Sequence, residues 1–195
     1  MTFDNDKKTI SLSPSDISTF DWSVDDFYQQ VVLKIRQPET YQMHWGSLQH
    51  CFIENGIDDV QLPFDPNWKQ MLLDLREELK EYQHEVTMQQ KLMVDDWEVT
   101  LNYRLDAFNP LTGKAIELKF PQTAWTQYKA NSDIKTLCYK AFHSDVEVVC
   151  TVWDGKEAVT SHLNVKPSME EAREKVIHIL KQIIGHLSNQ YFYKQ

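Results

Sequence analysis

The stretch Trp97–Phe120 reads WEVTLNYRLDAFNPLTGKAIELKF. Trp97, Val99, Leu101, Tyr103 and Leu105 alternate with polar residues, which is the period of a half-buried strand. Asn109-Pro110-Leu111-Thr112-Gly113 has turn composition, and Ala115 to Phe120 is apolar again apart from Glu117 and Lys119. An acidic residue, Asp106, therefore closes one strand, and Glu-x-Lys lies inside the next. Side chains alternate along a strand, so Glu117 and Lys119 share one side while Ile116, Leu118 and Phe120 pack the other. Carboxylates that converge at one sheet end can hold a hard divalent cation through oxygen. With an ammonium beside them, Asp106, Glu117 and Lys119 are the residue types that metal-dependent phosphodiester hydrolysis needs.

An acidic residue two before a lysine occurs five times: Asp6/Lys8, Glu78/Lys80, Glu117/Lys119, Asp133/Lys135 and Asp154/Lys156. Context separates them. Asp6 falls in a polar N-terminal tail, residues 1–11. Glu78 and Asp133 fall in helix-period stretches, and Asp154 falls in a turn. Glu117 alone lies on a short strand that follows a second acidic strand across a hairpin.

The rest of the chain supplies a sheet and its helical cover. Ser13 is placed to cap a helix with Pro14 at its first position. A second helix is expected from about Val24 to Ile35, a third over Trp45–Ile53, and a long amphipathic one over Trp68–Val86. Val86 to Val94 alternates as a strand, with Asp95-Asp96 as the turn into Trp97. Gln122 to Phe142 reads as one helix. Val146–Trp153 and Glu157–Val165 read as a hairpin about Asp154-Gly155. Ser168 and Glu171 form a capping box for a last helix along Ala172, Val176, Ile179, Leu180, Ile183 and Leu187. The order gives an α/β (α+β) fold, with a mixed central sheet of about five strands flanked by helices in one domain, residues 12–190.

Composition narrows the partners. The 195 residues suit one sizeable core. No apolar stretch approaches the ~20 residues of a membrane span, and MTFDNDKKTISLS lacks the apolar region of a signal peptide. Cys51, Cys138 and Cys150 are scattered and odd in number, which reads as reduced thiols of a cytoplasmic protein. The net charge of −9 is not that of a general nucleic-acid coat. The acids concentrate between Asp74 and Glu98, however, and Lys114, Lys119, Lys129, Lys135 and Lys140 make the segment around Glu117 basic.

On these residues the chain resembles the PD-(D/E)XK nuclease superfamily, in particular its RecB-like and AddB-like branch. Leu12-Ser13-Pro14-Ser15, Phe20 and Asp25-Asp26-Phe27-Tyr28 resemble its opening helices. Gly46-Ser47-Leu48-Gln49-His50 resembles its G-x-x-x-H helix. Arg104-Leu105-Asp106 and Glu117-Leu118-Lys119 match its metal-binding Asp and its Glu-x-Lys. The resemblance implies a restriction-endonuclease-like core and Mg²⁺ or Mn²⁺ held by His50, Asp106, Glu117 and the carbonyl of Leu118. It also implies DNA contacts from the helix carrying Gln127, Lys129, Lys135 and Tyr139. Three departures stand out. Ser23-Val24 replaces the Cys-Pro of the iron–sulfur members, and the C-terminal cysteines are missing, so no cluster is expected. Tyr103 replaces a glycine beside Arg104 and would crowd the approach to the metal. The Gln-x-x-x-Tyr motif appears as Lys135 to Tyr139, without its glutamine.

The expected function is a metal-dependent deoxyribonuclease, an exonuclease of recombination, repair or DNA degradation; the same chemistry permits RNA. The chain has no phosphate-binding glycine-lysine loop, so unwinding would need a separate helicase or recombination protein. Small size points to a phage-encoded enzyme, and hence to the host cytoplasm. The rival reading is a catalytically idle relative that binds DNA or protein, which the charge of −9, Tyr103 and the missing glutamine favour.

Overall fold

The computed structural model describes residues 1–35, 37–55, 65–154 and 156–192. The turn expected at Asp154-Gly155 lies partly outside them. Among the described residues seven strands form one mixed sheet: β1 (Thr2–Asp4), β2 (Thr9–Leu12), β3 (Gln83–Val94), β4 (Trp97–Asn109), β5 (Lys114–Lys119), β6 (Asp145–Trp153) and β7 (Ala158–Asn164). The expectation of about five strands falls short because β1 and β2 occupy the segment read as a polar tail. β2 runs parallel to β4, pairing Thr9–Leu12 with Glu98–Leu101, and buries Ile10 and Leu12. Four residues with two apolar positions give too short an alternation to distinguish a strand from a tail.

β4 is the organising strand. One edge pairs with β3 along almost its whole length. The other edge pairs with β2 near its start and with β5 only at Ala107–Asn109. Beyond Ile116, β5 leaves β4 and continues parallel to β6 as far as Lys119. The sheet therefore forks at Asp106, and the fork is where the candidate chemistry sits.

Helices cover both faces. On one face lie α1 (Pro14–Trp22), α2 (Val24–Phe27), α5 (Gln127–Ser132), α6 (Ile134–Lys140) and α7 (Met169–Phe192), which bury Ile17, Phe20, Phe27, Leu137, Tyr139, Ile179 and Leu180. On the other lie α3 (Tyr41–Asn55) and α4 (Pro66–Glu78), which bury Phe52, Ile53, Trp68, Leu72 and Leu75 against Ile116 and Leu118. The inward side of β4 changes at Asp106: Leu105 packs in the first core and Ala107 in the second.

Local chemistry explains most element ends. Ser13 accepts from the Asp16 N–H and Asp16 accepts in return from the Ser13 N–H, with Pro14 at the first turn. Ser168 and Glu171 make the same reciprocal pair. Four helices differ from the expected spans, the Trp45–Ile53 helix by running from Tyr41 to Asn55. The Val24–Ile35 stretch is a short α-helix followed by a π-helical turn at Tyr28–Val32. The expected Trp68–Val86 helix ends at Glu78, because β4 recruits Gln83–Val94 into its ladder. The expected Gln122–Phe142 helix is two helices, since Asp133 takes an extended backbone and caps the second through the Thr136 N–H.

If the N-terminal strand is a working part of the core, Ile10→Ala will cost about 2–4 kcal/mol in urea unfolding. A loss of only a few tenths would return this segment to the status of a tail.

Candidate metal centre

Three elements meet at the fork: the end of β4 brings Asp106, β5 brings Glu117 to Lys119, and α3 brings His50. They line one cleft of about 580 Å³, together with Glu54, Glu85, Arg104 and Lys135. Asp106 sits where β5 no longer pairs with β4, so its side chain takes over the ladder's task. Its Oδ2 accepts the Leu118 N–H at 2.7 Å, and its Oδ1 lies 3.7 Å from His50 Nδ1.

Glu117 is 1 % exposed. Its Oε1 accepts from both Lys119 Nζ and Lys135 Nζ, each at 2.6 Å. Its Oε2 is buried and has no hydrogen-bond partner. A carboxylate oxygen left so is costly unless a cation or a proton completes it. Burial by itself would raise the Glu117 pKa, but the two ammonium groups outweigh it and hold this carboxyl well below the usual range. Burial first, and the Glu117 charge second, push Asp106 up to about 8. Burial lowers His50 to about 4, so its imidazole is neutral at pH 7, the form that can ligate a metal.

Glu85 is the residue that sequence reading missed. Counting back from the Asp95-Asp96 turn places it opposite Asp106, and the ladder skips this one rung. Its backbone is left-handed, with φ of 53°. For a residue other than glycine that conformation costs about 1–2 kcal/mol. The ligand atoms of His50, Glu85 and Asp106 lie within 4.8 Å of one another. Glu85 also pairs with Arg104, and burial raises its pKa. The hairpin count was available in the sequence; the left-handed turn that goes with it has no sequence signal in a glutamate. Glu54 lines the rim of the same cleft.

The structure thus brings together His50, Asp106, Glu117, Leu118, Lys119 and Lys135. It does not bring Gln127 or Lys129 to the cleft. Gln127 donates to the Asn164 carbonyl and to Asn131, and exposed Lys129 lies over the Trp125 ring. Lys119 lies at 5.2 Å from the same Trp125 ring, so Lys129 neighbours the cleft without lining it. Tyr139 is buried beside the cleft, with its hydroxyl donating to the Arg104 carbonyl at 3.2 Å. Tyr103 does not crowd the site as expected. Its ring is buried against Tyr139 and Phe142, and its hydroxyl meets His143 Nε2 at 3.0 Å.

The donor set suits a divalent cation. Four carboxylates (Glu54, Glu85, Asp106 and Glu117) face three cationic side chains (Arg104, Lys119 and Lys135). Oxygen ligands with one imidazole fit Mg²⁺ or Mn²⁺, the imidazole favouring Mn²⁺. A divalent charge would reverse the sign of the cleft to the one that phosphate requires.

No family model matches the chain, and no curated protein matches it. Among solved structures it is similar to one described as the crystal structure of SSO0001, with a TM-score of 0.53 and 10 % identity over 94 % of this chain and 77 % of that one. At that identity the likeness speaks for the fold alone. No helix among the described residues is long and apolar enough to cross a membrane.

The raised Asp106 carboxyl has a consequence for stability. Where the folded state holds a proton that the unfolded state has lost, stability falls as pH rises, here from about 4 towards about 8. His50 opposes this only below its ordinary value of 6.5. In EDTA, urea unfolding of the wild type should therefore lose on the order of 2 kcal/mol between about pH 6.5 and about pH 8.5, and Asp106→Asn should remove that slope. Equal slopes in the two proteins would contradict a buried, protonated Asp106.

Proposed function

We propose that this protein is a Mg²⁺- or Mn²⁺-dependent deoxyribonuclease with a PD-(D/E)XK-type site. The observation that carries the reading is the divided Glu117 carboxylate: one oxygen bound by two lysines, the other buried without a hydrogen-bond partner, on a residue that lines the same cleft as Asp106 and His50. Asp106, Glu117, His50 and Glu85 would hold the cation, with the Leu118 carbonyl as a further donor. When bound, it supplies Lewis acidity towards a phosphodiester and eases deprotonation of water.

The chain's own groups supply the rest. Asp106, tied to the Leu118 amide, fixes the end of β5 and hence the position of Glu117 and Lys119. Lys119 and Lys135 keep Glu117 ionised and bring positive charge to a phosphate entering the cleft. Lys135 stands where the resembled family has its glutamine, and it reaches the catalytic carboxylate instead of the outer surface. Phe120 packs edge-on to His50 at 5.3 Å and limits its rotation.

A second reading, a catalytically idle DNA- or protein-binding relative, draws on the net charge of −9 and on the engagement of both lysines with one carboxylate oxygen. The position in recombination, repair or degradation, and a separate helicase or recombination partner, belong to the same proposal.

The deciding experiment is cleavage of end-labelled single- and double-stranded DNA in Mn²⁺, Mg²⁺ or EDTA. Wild type should cut only with metal, and Lys119→Ala should lose on the order of 100-fold or more. Full activity in Lys119→Ala would contradict the assigned roles, and intact DNA under every condition would favour the idle relative.

A further inference from the structure

Helix α3 presents two adjacent rows of side chains. Gly46, His50 and Glu54 recur every four residues and line the acidic cleft. Tyr41, Trp45 and Gln49 form the neighbouring row and line a different cleft, of about 640 Å³. Trp68 and Trp153 form its far wall, and Phe120 borders both clefts.

Among the described residues, this second cleft has no charged residue in its lining. Its walls are flat rings. Tyr41 and Trp45 are nearly parallel, 17° apart with centroids at 6.1 Å, and Trp68 and Trp153 lie 6.2 Å apart. Tyr41 is 74 % exposed and Trp153 is 40 % exposed, so large aromatic faces are left to solvent. Behind the wall lie two unpartnered polar atoms closed to solvent. Gln49 is wholly buried; its Nε2 donates to the Trp45 carbonyl, but its Oε1 has no partner, and neither has the indole N–H of Trp68.

Exposed neutral ring faces fit a planar heterocycle. A phosphate would find no charge among the described residues here, and flat rings that face solvent suit stacking by a planar ring. The ligand must also reach the acidic cleft, which Phe120 adjoins. We infer that this aromatic cleft takes an unpaired nucleobase of single-stranded DNA whose backbone runs into the acidic cleft, an inference that rests on reading that cleft as a phosphodiester site. A paired base cannot enter between such rings without leaving its duplex. The chain thus favours single strands or frayed ends.

The test is binding without cleavage. Quenching of tryptophan emission is followed as a single-stranded thymidine oligonucleotide is added in EDTA at low salt, beside an abasic oligonucleotide of equal length and the matching duplex. The thymidine strand should bind with quenching, and Tyr41→Ala or Trp153→Ala should weaken it about tenfold, the scale of one lost base–ring stack. Tyr41→Phe should keep the affinity, since the ring remains. Both alanine sites are exposed, so an unchanged melting temperature controls for folding. Equal binding of thymidine and abasic strands, no binding, or indifference to both alanine variants would overturn the inference. The outcome is independent of catalysis. Cleavage by wild type with a thymidine strand indifferent to Tyr41 and Trp153 would sink the base site and leave the nuclease; base-dependent binding without cleavage would do the reverse.

Discussion

The fork between β4 and β5 forces two carboxylates into one dry place, and the surrounding structure answers that constraint. Asp106 and Glu117 cannot both carry unopposed charge there. Lys119 and Lys135 neutralise Glu117 from one side, the Leu118 amide steadies Asp106, and burial beside the Glu117 charge raises the Asp106 pKa. None of this improves stability over an apolar fork of the same shape, since buried ion pairs seldom recover their desolvation cost. The left-handed backbone at Glu85 adds to that cost. One Glu117 carboxylate oxygen is left unpartnered at the fork, and the proposed divalent cation would complete it.

The same constraint orders the architecture. β4 reaches the fork because β2 and β3 hold it on both edges, and α3 and α6 close on the fork from opposite faces of the sheet. His50 and Lys135 therefore enter one cleft although they belong to different helical layers. Lys119, Lys135 and Arg104 face the four carboxylates of this cleft, and a bound divalent cation would leave it net positive within an acidic chain.

Much of the site was legible in the sequence. Alternation in β4, the Pro-Gly turn and the apolar frame around Glu117 put Asp106, Glu117 and Lys119 together by period and hairpin geometry alone. His50 needed the G-x-x-x-H resemblance, since a lone helical histidine carries no signal. Glu85 was lost because the Trp68–Val86 helical pattern ran over it, and register in a long hairpin outweighed that local period. β1 and β2 were lost because strands of three and four residues show too little alternation. Gln127 and Lys129 were placed at the site by assuming one helix through Asp133; the chain breaks there into two helices, and neither residue lines the cleft. Lys135 was placed near phosphate, but its bond to Glu117 depends on how closely α6 approaches β5, which no spacing encodes.

The central claim is that the unpartnered oxygen of Glu117, with Asp106 and His50, is built around a divalent cation. Crystals soaked in Mn²⁺ and measured at the manganese absorption edge test it directly. The account predicts one strong anomalous peak in the cleft between Asp106, His50 and Glu117. No peak there at saturating Mn²⁺, with Glu117 still held by both lysines, would contradict it.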